Sequence, residues 1–265
     1  MNFPQLLDAV RSHPESVSIP ADWAQGRASF GGLMAALVFE TMRLKLSDDR
    51  PVRSLAISFV GPAAPELPIR FEAEVLREGK AVSTLLGRAV QDGQVVTLVQ
   101  GNFGAGRPSA VQVQAPPARA MKPLEQSAPE LPYIEGVTPQ FMRHVALRWA
   151  IGGLPFSGNE SRLMGGWVRL RDVPQEPLDE SHLLALVDAW PPSLMPFLKR
   201  PAAGSTLTWT IEFVQPVASL TTLDWCWYCV ETEHARDGYG HAAAGLWTAE
   251  GELLAMSRQT VTVFA

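Results

Sequence analysis

Two apolar patterns alternate along the chain, and each occurs twice. The run Leu33-Met34-Ala35-Ala36-Leu37-Val38-Phe39 ends at Glu40 and is opened by Gly31-Gly32. Leu33, Leu37, Glu40, Met42 and Leu44 are good helix formers, and Pro51 lies beyond them, so the pattern predicts a helix over 31–46. Further on, Leu183, Leu184, Leu186, Val187 and Trp190 give a broad apolar face behind Asp179, a suitable N-cap. Pro191-Pro192 stops it, which predicts a second helix over 179–190. After each helix the pattern changes to segments rich in Val, Thr, Trp and Phe, as strands are. These predict strands at 51–61, 68–78, 81–91 and 94–104, then at 205–215, 222–235, 239–249 and 252–264.

The two halves also repeat in detail. Ile57-Ser58-Phe59-Val60-Gly61-Pro62 returns as Ile211-Glu212-Phe213-Val214-Gln215-Pro216. Arg77-Glu78-Gly79 returns as Arg236-Asp237-Gly238, and Asp92-Gly93 as Glu250-Gly251, in the same order and at nearly the same spacing. Such self-similarity marks a duplicated structural unit. The acidic-Gly pairs suit hairpin turns, because Gly accepts φ > 0. Between the halves, Pro108, Pro116, Pro117, Pro123, Pro129 and Pro132 punctuate a stretch that reads as an extended connector. The expected organisation is therefore residues 1–105, a connector over 106–139, and residues 140–265. One apolar helix followed by a long antiparallel meander, twice, gives an α+β fold. Each sheet curls around its helix, and the two join edge to edge into one continuous sheet, which protects otherwise exposed strands.

Composition narrows the function. Of 265 residues, 46% are hydrophobic and 18% charged, which excludes a disordered chain. The net charge of −5 argues against a nucleic-acid partner, since phosphate binders are basic. Apolar runs are too short for a membrane span. The first twenty residues lack a basic start and an apolar core, so no signal peptide is expected and a soluble, cytoplasmic protein is. Cys226 and Cys229 are the two cysteines. At odd spacing on a strand they face opposite ways, which disfavours a zinc or redox site. His13, His144, His182, His234 and His241 lack metal-ligand spacing, and Asp179 with His182 reads as a surface pair. No metal or cofactor is expected. The absence of Gly-x-Ser-x-Gly argues against a serine α/β-hydrolase.

Two polar residues stand out on apolar faces. Asp188 lies within Leu184-Ala185-Leu186-Val187-Asp188-Ala189-Trp190, where an unpaired charge is costly unless it faces solvent near the helix end. On the last strand Leu253, Ala255, Ser257, Gln259, Val261 and Val263 share one face, so Gln259 points into a polar pocket or is a satisfied core amide. Thr206, Thr208, Thr210 and Glu212 share a face opposite Leu207, Trp209, Ile211 and Phe213, a row equally compatible with plain sheet surface.

Together these features resemble the double hotdog fold of the acyl-CoA thioesterase II family, over about Trp23 to Val263. Phe30-Gly31-Gly32 is similar to that family's Phe-Gly-Gly at the start of its first long helix, and Gly166-Trp167-Val168-Arg169-Leu170-Arg171 to its Trp-x-Arg strand. The resemblance implies a catalytic Asp, Ser or Thr, and Gln, matched here by Asp188, Thr206 and Gln259, with Ser205 and Thr208 as rival hydroxyls. It also implies hydrolysis of an acyl-CoA to free acid and coenzyme A by an Asp-activated water, and a homodimer or larger assembly. The backbone at Gly31-Gly32 would serve as oxyanion donor, and Trp190, Met195 and Phe197 would line an acyl tunnel. A non-catalytic acyl-binding protein and a hotdog hydratase or dehydratase are the alternatives.

Overall fold

The computed structural model describes residues 1–264 of the chain. Among the described residues the chain forms three α-helices, α1 (Phe3–Ser12), α2 (Gly31–Arg43) and α3 (Glu180–Asp188). Its short strands are β1 (Val17–Ser18), β2 (Ala24–Gln25) and β3 (Ala28–Ser29). The first half continues with β4 (Val52–Phe59), β5 (Pro68–Glu78), β6 (Val82–Gln91) and β7 (Gln94–Gly104). The second holds β8 (Val145–Ile151), β9 (Leu163–Leu170), β10 (Ala203–Phe213), β11 (Cys226–Arg236), β12 (Tyr239–Trp247) and β13 (Leu253–Phe264). The predicted helices and strands are present with ends moved by a few residues. The N-terminal α1 was not foreseen, although its signal is readable: Asn2 and Gln5 form a reciprocal cap, and Phe3, Leu6, Leu7 and Val10 share a buried face.

Eleven strands make one antiparallel sheet in the order β1-β5-β6-β7-β4-β10-β13-β12-β11-β9-β8. At its centre β4 pairs with β10, with Leu55 opposite Ile211 and Ile57 opposite Trp209. Outward from that junction the order is β7, β6, β5 on one side and β13, β12, β11 on the other. The repeated segments starting at Ile57 and Ile211 thus lie in equivalent central strands. Even the irregularities match. The register slips between Val52 and Ser54 against β7, and between Thr206 and Thr208 against β13.

The helices lie on the concave face. α2 is mostly apolar and buried from Gly32 to Met42, the property of a central helix. It sits close to the sheet because Gly87 and Gly101 lie beneath it. A Cβ on either would come within 2.6 Å of a Val38 or Met42 side-chain atom. The turns at Asp92-Gly93 and Asp237-Gly238 have both residues at positive φ (50° and 74°, 54° and 80°), as the tightest hairpins require. Gly79 is not left-handed; its N–H instead donates to Val82 O at 2.9 Å.

The outer face near β9, β11 and β12 carries Trp167, Trp227, Trp247 and Cys229, whereas Cys226 lies in the main core. The two cysteines therefore do face opposite ways. The connector covers this tryptophan patch. Ala118, Met121 and Leu124 pack on it, and the carbonyls of Lys122 and Arg119 accept from the indole N–H groups of Trp167 and Trp227 at 3.1 and 3.2 Å. Farther along, the N–H groups of Ala128 and Leu131 donate to the carbonyls of Trp149 and Leu147 on edge strand β8. The segment has little regular structure but is docked, because an exposed tryptophan face and a free sheet edge both need cover.

Candidate functional site

α2 and α3 run antiparallel, so the start of each meets the end of the other. At one end of this pair lies Asp188, the last residue of α3, against Gly31 and Gly32 at the start of α2. A Cβ on Gly31 would stand 2.7 Å from Asp188 Oδ2, and one on Gly32 would stand 3.0 Å from both Asp188 Cβ and Leu184 O. The glycines are needed for close approach. That approach lets the Gly32 N–H, an orphan donor of the first helical turn, reach the Asp188 carboxylate. Gln259 Nε2 donates to Asp188 Oδ1 at 3.0 Å.

Asp188 is otherwise closed in by protein. Burial pushes its pKa up from 3.8 to about 7, against the opposing hydrogen bonds from Gln259 and Gly32. It is not sealed, however. Gly31, Phe59, Asp188, Thr206 and Gln259 are each half-buried, whereas Gly32, Leu184, Val187 and Trp209 beside them are buried. Asp188 therefore keeps some exposure beside a buried floor. Tyr228 is near enough for the Asp188 charge, after burial, to help hold its phenol protonated. Two neutral donors, no cation partner and access to solvent are the surroundings that turn a carboxyl into a base of neutral range.

Thr206 requires a correction. Simple alternation put it with Thr208 on the face opposite Trp209. The register slip at Leu207 places Thr206 opposite Val261, whereas Thr208 lies opposite Thr260 and Trp209 opposite Gln259. Directly paired residues share a face. Thr206 is therefore on the concave face with Val261 and Gln259, diagonal to the amide. Thr208 is exposed, and exposed Ser205 turns its hydroxyl to the Thr206 carbonyl at 3.3 Å. A bulge re-aims one side chain, and nothing in a Thr-rich segment announces it.

The remaining candidates are dispersed. Trp190 is buried, stacked on Tyr228 at 5.2 Å and tilted against Trp149 at 5.0 Å. Met195 packs over Gly204, and Phe197 lines a separate cavity, so the three do not form one tunnel. The Gly31 N–H, an orphan donor of the first turn of α2, has no hydrogen-bond partner among the described residues. Asp179 and His182 are not a surface pair. His182 is 4% exposed, and Asp179 caps α3 by accepting from Ser181 N and His182 N, with His182 Nδ1 at 2.7 Å. No cluster of metal-ligand type was found among the described residues. No helix there is long and apolar enough to cross a membrane.

At the opposite end of the helix pair lies a carboxylate that the sequence reading passed over. Glu40 of α2 is 2% exposed. It accepts from Ser181 Oγ at 2.5 Å, from Arg11 Nε at 2.8 Å and from Arg43 at 3.1 Å.

Comparison with known proteins decides the family. Residues 19–104 match the model of the acyl-CoA thioesterase N-terminal domain, and residues 122–263 match that of the acyl-CoA thioesterase C-terminal domain. The chain belongs to the acyl-CoA thioesterase family. It is similar to acyl-CoA thioesterase 2 of Haemophilus influenzae, with 24% identity over 254 residues, 88% of this chain and 86% of that one. Among solved structures it resembles a hot dog fold protein of unknown function from Alicyclobacillus acidocaldarius. That likeness has a TM-score of 0.81 and 25% identity, over 94% of this chain and 92% of the other. It also resembles an acyl-CoA thioesterase II from Mycobacterium marinum, with a TM-score of 0.66 and 17% identity over 97% and 98%. The thioesterase family and the α+β double hotdog are thus those expected from the sequence, and the chain is a thioester hydrolase by family.

Proposed function

We propose that the chain hydrolyses an acyl-CoA with Asp188 as general base. The observation that carries this reading is a partly exposed Asp188 carboxyl that takes a hydrogen bond from Gln259 at 3.0 Å and lies against the Gly31-Gly32 start of α2, with burial pushing its pKa up to about 7. Asp188 takes a proton from a water whose oxygen attacks the thioester carbonyl carbon. Gln259 Oε1 has no protein partner among the described residues and accepts the second hydrogen of that water. The Thr206 hydroxyl lies diagonal to the amide and completes its cradle. The N–H of Gly31, at the positive end of α2, faces the developing oxyanion. Collapse of the tetrahedral intermediate breaks the C–S bond. The proton on Asp188 passes to the departing thiolate, a good leaving group because thiol pKa values lie near about 8.5.

The histidines favour hydrolysis over hydration. His182 is committed to capping α3, His144 stacks on Trp23 at 4.0 Å, and His234 and His241 stack on the β11–β12 hairpin. A dehydratase would need one of them beside the carboxylate. The test is thiol release from a medium-chain acyl-CoA. Asp188→Asn keeps the shape but removes the base, and lowers kcat by roughly 10²-fold or more with KM nearly unchanged. Wild-type kcat in that variant would refute the reading.

A further inference from the structure

The corner between α3 and the β11–β12 hairpin differs from its counterpart in the first half. In the first half the turn at Gly79 is plugged. Arg50 donates to Gly79 O at 3.0 Å and to Ser83 Oγ at 3.1 Å, and Ser47 bonds Glu78. In the second half residues 189–202 cross the sheet without filling that corner. Leu194 seats on Gly240, Val261 and Val263, and Thr232 Oγ1 donates to Ser193 Oγ at 2.9 Å. A cavity of about 600 Å³ remains between this segment and the hairpin. Its walls include Phe197, Leu198, Val263 and Tyr239, and its rim carries Arg162, Glu233, His234 and Arg236.

The rim is basic in an acidic chain. Glu233 is offset by an ion pair with Arg258. Arg162 is steadied by the carbonyls of Thr232 and Glu233, both at 2.8 Å, with Glu231 at 3.9 Å. Arg236 has no ion-pair partner among the described residues, and Lys199 and Arg200 follow Leu198 directly. A chain of net charge −5 has thus gathered surplus positive charge around an apolar slot. Half-exposed Tyr239 and Phe197 supply flat faces for a planar ring.

We propose that this cavity holds the phosphorylated nucleotide end of coenzyme A. Phosphates pair with Arg162 and Arg236, and the base lies against Tyr239 and Phe197. The inference rests on the thioesterase reading of Asp188 and adds where the carrier of the acyl group sits. The reach is right. Val263 lies four residues beyond Gln259 on the same face of β13, about 13 Å at the rise of a strand. The arm joining the coenzyme's sulfur to its first phosphate has about a dozen bonds and spans on the order of 14 Å when extended. A sulfur beside Asp188 therefore brings phosphates to the cavity. A carrier-protein thioester has the same arm but no nucleotide to fill the slot.

Calorimetric titration with free coenzyme A tests this independently of hydrolysis. Wild-type protein and Asp188→Asn bind it alike, Arg236→Glu binds at least tenfold more weakly, and Arg236→Lys recovers most of the affinity. In assays, the preference of wild-type protein for an acyl-CoA over the same acyl group on N-acetylcysteamine falls at least tenfold in Arg236→Glu. Unchanged coenzyme binding by Arg236→Glu, or no binding by wild-type protein, overturns the proposal. A protein that binds coenzyme A through Arg236 yet hydrolyses no thioester supports this inference and refutes the catalytic one.

Discussion

The two ends of the α2–α3 pair are related by the duplication, yet they carry opposite chemistry. The strand registers make the correspondence explicit. Leu55–Gly101–Leu85 in the first half is matched by Trp209–Gln259–Ala242 in the second. The bulges match Val52 with Thr206. Asp188 meets the second residue of α2, Gly32, and Glu40 meets the second residue of α3, Ser181. Each end keeps a carboxylate, but at the Glu40 end the amide is a glycine and the hydroxyl a buried valine. Met42 fills the space over Gly101, with its Cε 2.6 Å from where a Cβ would stand. Arg11, brought by α1, and Arg43 hold Glu40 from two sides.

Saturation makes the difference. Surrounded by two guanidinium groups and a hydroxyl, a buried carboxylate is a structural anchor. Given only neutral donors and partial exposure, the related one becomes a titratable base. Keeping Asp188 ionisable at about 7 rather than 3.8 costs on the order of 4 kcal/mol at neutral pH. The sign follows from the raised value. The folded protein holds this proton more tightly than the unfolded chain, so stability falls as pH rises from about 4 to about 7. Stability is sacrificed at one end of the helix pair and secured at the other.

Substitutions can break or sharpen this contrast. After Asp188→Asn, the largest effect is expected from Gln259→Ala, which removes the donor to Asp188 and the acceptor for water. kcat falls roughly 10²-fold, the scale of losing one positioned hydrogen-bonding group, in steady-state thiol release. Next is Glu40→Gln, which keeps the bond to Ser181 but leaves Arg11 with only Asp8, and Arg43 with only Asp179, as ion-pair partners. Because Arg11 and Arg43 are partly exposed, the loss is about 2 kcal/mol, read as a lower denaturation midpoint, with kcat unchanged. Thr206→Ala has the smallest effect, a fall in kcat of less than about tenfold, since a second water can replace one hydroxyl. Equal catalytic losses from Glu40→Gln and Gln259→Ala would erase the distinction between the two ends.

Much of this was legible in the sequence because duplication writes landmarks twice. The helices showed in apolar spacing and in Gly-Gly, Asp and Pro-Pro punctuation, and the central strands in the shared Ile-x-Phe-Val-x-Pro. Asp188 and Gln259 were visible as polar residues on apolar faces, a local signal. Glu40 escaped because a Glu within a helix is ordinary, and its meaning depends on Arg11 and Ser181, which are distant in sequence. Thr206 was misplaced because a bulge is a property of the strand pair rather than of either strand. The Pro-rich connector gave no pattern of its own. Its docking is set by three tryptophans that alternate outward on other strands.

The pH dependence of kcat, measured side by side for wild-type protein and Glu40→Gln, tests the central claim most directly. A base must be ionised to work, so kcat should rise about tenfold per pH unit below about 7 and level off above it, identically in both proteins. A kcat that is flat between about pH 5 and pH 9, or an inflection that disappears with Glu40→Gln, would contradict the assignment of Asp188 as the working carboxylate.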